Sequence, residues 1–111
     1  MAPQSQVFLL KRGDTSPSLR FALSPASVNL VGASVVFNMA KADGTVKVSR
    51  APAVIETATG TPTVRYDWQA GDTSDTGDFV GEFEVLYGTG QRETFPNGDE
   101  FIPILIGGDI A

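Results

Sequence analysis

Apolar residues in this chain recur at every second position, and glycine or proline interrupts them every few residues. Leu19, Phe21 and Leu23 alternate with Ser18, Arg20, Ala22 and Ser24. Val64, Tyr66 and Trp68 alternate with Arg65, Asp67 and Gln69, and Phe79, Gly81, Phe83, Val85 and Tyr87 with Val80, Glu82, Glu84 and Leu86. Successive side chains of a strand point to opposite faces, so each run predicts one buried and one wetter face. Twelve glycines and seven prolines leave residues 33–43 as the longest segment free of both. There Ala33, Phe37 and Ala40 would share a helical face. The alternating Val35, Phe37 and Met39, with β-branched Val35 and Val36, favour a strand.

Turn signals separate the runs: Arg12-Gly13-Asp14, Ser24-Pro25, Asp43-Gly44, Gly60-Thr61-Pro62, Gly71-Asp72, Gly88-Thr89-Gly90 and Pro96-Asn97-Gly98-Asp99. Asp43-Gly44 is the strongest hairpin signal, because both positions tolerate φ > 0. Strands are expected at 7–11, 18–24, 34–40, 45–49, 53–57, 63–68, 79–87, 91–95 and 101–106. Seven to nine short strands so spaced predict an all-β fold, a single immunoglobulin-like antiparallel β-sandwich. Pro103 cannot donate to a ladder, which places the last strand at an edge or a bulge. Phe79 and Phe83 are expected as core anchors on one face. A chain of 111 residues fits one domain, spanning 1–111 with a polar arm at 1–6 and a short tail at 107–111. The tetrapeptide Gly-Asp-Thr-Ser occurs at 13–16 and again at 71–74.

Cysteine and histidine are both absent. Disulfides, thiolate metal sites, cysteine nucleophiles and the usual general base are thereby removed. The fold must stand on packing alone, which suits a reducing compartment. The sequence Met-Ala-Pro-Gln-Ser-Gln opens without a signal-peptide pattern, and no apolar run approaches the roughly 20 residues of a membrane span. A soluble protein made in a cytoplasm is expected. The net charge of −5 argues against a nucleic-acid partner. Its distribution is uneven. Residues 1–65 carry seven basic and three acidic side chains, a net of +4; residues 66–111 carry one and ten, a net of −9. Either these charges intermix on one folded surface or they make it bipolar, suited to head-to-tail contacts.

Four constellations carry residue types capable of chemistry. Asp72, Asp75 and Asp78 supply carboxylates, but their spacing is not that of an EF-hand loop; Asp and Thr side chains with Gly77 read as local turn caps. Arg12-Gly13-Asp14 spells an integrin-binding tripeptide, yet it falls where a turn between strands is needed. Glu82 and Glu84 share a strand face and could in principle act as an acid–base pair; a solvated face is the simpler reading. Trp68, Tyr66 and Tyr87 could stack sugars, although their alternation with polar residues is that of core positions. No catalytic, cofactor or metal residue is therefore assigned, and neither enzyme activity nor a small-molecule ligand is expected. A carbohydrate-binding module for host-surface attachment is the alternative to a structural role.

Asp75-Thr-Gly77-Asp-Phe79-Val-Gly81 resembles the Asp-x-Gly-x-Tyr-x-Cys pattern of immunoglobulin-like strands. Phe79 stands for the tyrosine and Gly81 for the cysteine, so neither a tyrosine corner at 79 nor the inter-sheet disulfide can form. A wider resemblance runs through FLLKRGDTSPSLRFAL at 8–23, VNLVGASVVFNMAKADG at 28–44, VRYDWQAGDTSDTGDFVGEFEV at 64–85 and ETFPNGDEFIPILI at 93–106. In this order the segments resemble the N-terminal immunoglobulin-like domain of phage upper baseplate proteins. The resemblance implies a structural component of a tailed-phage virion, at the tail or baseplate, neck or capsid surface. It also implies other virion proteins as partners, several copies in a symmetric assembly, and synthesis in the bacterial host cytoplasm. The receptor-binding role of longer members is not carried over to a chain that ends at Ala111. The candidate contact residues are Lys11, Arg12 and Arg20 on a basic side, and Asp99, Glu100, Phe101 and Ile104 on an acidic and apolar side.

Overall fold

The computed structural model describes residues 7–23 and 28–108. The expected strands form: β1 (Phe8–Lys11), β2 (Leu19–Ala22), β3 (Ser34–Lys41), β4 (Val46–Pro52), β5 (Val54–Thr57), β6 (Thr63–Tyr66), β7 (Gly77–Leu86), β8 (Arg92–Phe95) and β9 (Ile102–Gly107). The ambiguous window around Phe37 is strand β3. At Asp43-Gly44 the chain reverses into β4: Gly44 takes φ +94°, and the Asp43 carboxylate accepts the Thr45 N–H at 2.9 Å. The proposed arm at 1–6, the Ser24-Pro25 turn and residues 109–111 of the proposed tail lie outside the described residues. Gly107, also assigned to the tail, belongs to β9.

The strands make an immunoglobulin-like β-sandwich. The larger sheet runs β1-β9-β7-β3-β4, with β8 also paired to β7; the smaller runs β2-β6-β5. β7 organises the larger sheet. Its first half, Gly77 to Gly81, pairs with β9 and its second half, Phe83 to Leu86, with β8, while β3 lies along its other side.

Two expectations are corrected here. The β1–β9 pair is parallel, with Phe8 opposite Ile104 and Lys11 opposite Gly107, so the sandwich is not wholly antiparallel. As a result β9 is an interior strand. Pro103 is tolerated because it lies opposite Val80 of β7 but one residue before the ladder with β1 begins, so no donor is missed on that side.

The inward faces close over one core. Phe37, Phe83, Val64 and Val85 are fully buried, with Leu30, Met39, Tyr66, Trp68, Phe79, Phe95 and Ile106 nearly so. Phe79 and Phe83 thus share the buried face of β7. Fully burying a side chain of this size contributes about 1.5–3 kcal/mol, which lets a cysteine-free sandwich stand without staples. Aromatic rings form its centre: Phe37 stacks on Tyr66 with centroids 4.5 Å apart and meets Trp68 edge-on at 5.7 Å. The two indole and phenol polar tips are satisfied, Trp68 Nε1 donating to the Pro17 carbonyl at 3.1 Å and Tyr66 Oη to Asp72 at 2.6 Å.

Candidate interaction surface

The structure separates the candidate contact residues. Lys11 and Arg12 are exposed at the end of β1, where the Arg12 N–H donates to the Gly107 carbonyl. Asp99, Glu100 and Phe101 are exposed just before β9. Those two groups lie at opposite ends of a six-residue strand, roughly 17 Å apart at about 3.3 Å per residue. Arg20 projects from the other sheet and is held by Glu56 at 3.1 Å. Ile104 is withdrawn from the set: only 1 % exposed, it packs in the core against the backbone of Gly81.

The aspartates do three separate jobs. Asp72 accepts both the Tyr66 hydroxyl and, at 2.8 Å, the Gln69 N–H. This bond fixes the corner before β7, a role that position 79 cannot fill with phenylalanine. Asp75 pairs with Lys47 at 3.0 Å, and Asp78 is exposed on β7. Among the described residues, no group of three or more acidic side chains is placed to hold a metal ion. The two Gly-Asp-Thr-Ser turns meet. Gly13 N–H donates to the Thr73 carbonyl at 3.0 Å, and buried Thr73 Oγ1 donates to the Asp14 carbonyl at 2.8 Å. The Arg12-Gly13-Asp14 segment is therefore a clasped turn.

Tyr66 and Trp68 are buried, so they offer no stacking platform, and the Tyr87 hydroxyl donates to Glu93 at 2.8 Å. Burial first, then that carboxylate, pushes the Tyr87 phenol up to about 12. Glu82 and Glu84 do share a face but do not act on one point. Glu84 sits between Arg50 and Arg92, each at 2.7 Å, while Glu82 accepts a long 3.4 Å contact from Asn38. Arg50 takes φ +51° in a β4 bulge, where its N–H donates to Asn38 Oδ1 at 2.7 Å.

Folding compensates part of the charge asymmetry of the sequence. Basic residues of the first half pair with acids of the second: Lys47 with Asp75, Arg50 with Glu84, Arg65 with Asp67. These charges are intermixed on the folded surface as ion pairs. Hydrogen bonds from Arg65 hold the Glu56 and Asp67 carboxyls below their usual range, and Lys47 does the same for Asp75. At Glu84 burial pushes upward, but Arg50 and Arg92 together outweigh it. A carboxyl lowered in the folded state binds fewer protons there than in the unfolded chain, so stability rises with pH. The urea midpoint should be flat above the ordinary carboxylate range and fall as pH drops through it towards 3. A midpoint that rises on acidification would contradict these pairs.

The two outer faces differ in kind. On the smaller sheet, Arg20 stands directly opposite Arg65, and Glu56 and Asp67 neutralise both, with Ser18 donating to Asp67 at 2.6 Å. That face is sealed by its own charges. On the larger sheet, register aligns an apolar row across four strands: Pro103, Val80, Ala40 and Val46. A second row adds Leu9 beside Leu105, and exposed Phe101 stands at the end of the first. Of these seven, Phe101 alone is a contact candidate from the sequence. Their signal was present, since the last strand and β1 are apolar at consecutive positions and not only at alternate ones.

No family model matches this sequence, and no curated protein matches it. Among solved structures, the chain is similar to CopC from Methylosinus trichosporium OB3b, with a TM-score of 0.53 and 12% identity over 94% of this chain and 86% of that one. At that identity the likeness speaks for the sandwich fold and for nothing more.

Proposed function

We propose that the chain is a non-enzymatic assembly module of a tailed-phage virion, binding other virion proteins through the outer face of its larger sheet. The observation that supports this reading is the contrast between the two faces. One is neutralised by its own ion pairs, while the other exposes Leu9, Leu105, Val46 and Phe101 together with half-buried Val80 and Ala40. Contiguous exposed apolar surface on a small domain marks a contact site. The virion itself is suggested by the resemblance to upper baseplate modules. In that setting the module is present in several copies around a symmetric body, and its position is the tail or baseplate, the neck or the capsid surface.

Mass spectrometry of purified particles tests it. The chain should be found at a fixed ratio to a major virion protein through successive gradients. Val80→Glu should lower incorporation at least tenfold while the urea midpoint of the free protein stays within error. A chain that remains in the soluble lysate and is absent from particles would end the virion reading.

A further inference from the structure

The apolar row carries a groove with its own chemistry. Ala40, Val46, Val48 and Val80 line it, Phe101 borders it, and its volume is about 240 Å³. Pockets for drug-sized ligands run to roughly 300–1,000 Å³, whereas an apolar cavity of about 150 Å³ takes benzene. The space therefore suits one large apolar side chain. One carboxylate, Glu82, lines the groove, and exposed Asp99 and Glu100 immediately precede Phe101 in the chain. Glu56, Asp67, Asp75 and Glu84 each have a cation partner, but Glu82, Asp99 and Glu100 form no ion pair among the described residues. An uncompensated carboxylate in the groove wall, with two more beside Phe101 in the chain, favours a basic occupant and disfavours an acidic one.

A second copy of this chain has few cations to spare for the groove. Of its eight basic residues, Arg20, Lys47, Arg50, Arg65 and Arg92 are engaged in ion pairs within the chain, and Lys11 and Lys41 sit on strands already paired within the sheet. We infer that the groove bounded by Phe101, Val80, Ala40 and Val46 receives a large apolar side chain from a different protein, in a short segment where lysine or arginine flanks that residue. The inference rests on the reading that this face is the contact surface, and it names the partner's chemistry.

Titration of the full ¹⁵N-labelled chain with three synthetic peptides tests it: Gly-Arg-Phe-Arg-Gly, Gly-Glu-Phe-Glu-Gly and Gly-Arg-Gly-Arg-Gly. At about 50 mM salt the first should bind at least tenfold more tightly than either of the others, with amide shifts confined to residues near 40, 46, 80–82 and 99–101. The preference should shrink as salt approaches about 500 mM, where exposed charges are screened within a few ångströms. Glu82→Gln with Glu100→Gln should remove most of the discrimination against the acidic peptide, and the same spectra report that the variant is folded. Equal binding of the basic and acidic peptides would overturn the inference, as would shifts centred on the Arg20–Arg65 face. So would a concentration-dependent dimer, abolished by Val80→Glu, that excludes the basic peptide. A chain absent from particles that still prefers the basic peptide would sink the virion reading alone. If Val80→Glu blocks incorporation but no peptide preference exists, the partner chemistry alone is wrong.

Discussion

Phe37→Ala should remove a fifth or more of the stability of this domain. Phe37 is completely buried at the centre of β3, stacked on Tyr66, edge-on to Trp68 and 5.1 Å from the Phe83 ring. Truncating a buried phenylalanine to alanine costs about 3–5 kcal/mol, because the vacated volume collapses only in part. Small domains hold only about 5–15 kcal/mol in total. Each kcal/mol lost shifts the midpoint of a domain near this size by roughly 4 °C or more, so the melting temperature should fall by about 12 °C at least. Glu82→Ala, on the opposite face of the same sheet, should move stability by no more than about 0.5 kcal/mol. Urea denaturation of both variants compares them directly. Similar losses from the two would mean that the faces of the larger sheet are reversed.

Gly81→Val should also be clearly destabilising, for the opposite reason. Gly81 occupies the inward position between Phe79 and Phe83 on β7, with Met39 opposite on β3 and Ile102 opposite on β9. A Cβ added there would lie 2.9 Å from Ile104 Cδ1 and 3.0 Å from two atoms of the Phe37 ring. Glycine is thus required by packing: its missing side chain is the space that Phe37 and Ile104 fill. Alanine needs a shift of a few tenths of an ångström from side-chain ends, offset in part by about 0.5–1 kcal/mol from restricting the unfolded chain. Valine pushes two further methyls into the same contacts, and overpacking of this kind costs about 1–3 kcal/mol or more. The second-site change Ile104→Val removes the Cδ1 that Gly81→Ala meets first. The double variant should therefore be more stable than the two single losses predict by addition, because the residues share one cavity. Strict additivity, or a Gly81→Val chain as stable as the parent, would show that β7 can move away from the core.

The sequence by itself determined the local geometry. Period-two alternation assigned Phe79 and Phe83 to one face and Glu82 and Glu84 to the other, because strand pleating fixes facing residue by residue. Asp43-Gly44 specified a reversal because its backbone requirement is met within the turn itself. These are short-range constraints, and they suffice for strands, turns and an all-β class. Which strands lie side by side was decided only by the tertiary structure. Pro103 read as an edge signal; β9 is interior because β1 joins it in parallel from more than 90 positions away, one residue beyond the proline. Ile104, read as a contact residue, is core because β9 presents it to the buried face opposite Phe79. The ion pairs Lys47–Asp75 and Arg50–Glu84 join residues 28 and 34 positions apart, which no local window contains. The exposed apolar row exists only because register brings Pro103, Val80, Ala40 and Val46 into line across four strands. Within its own segment none of those residues signals a contact, and only the hydrogen-bonded ladder turns them into one surface.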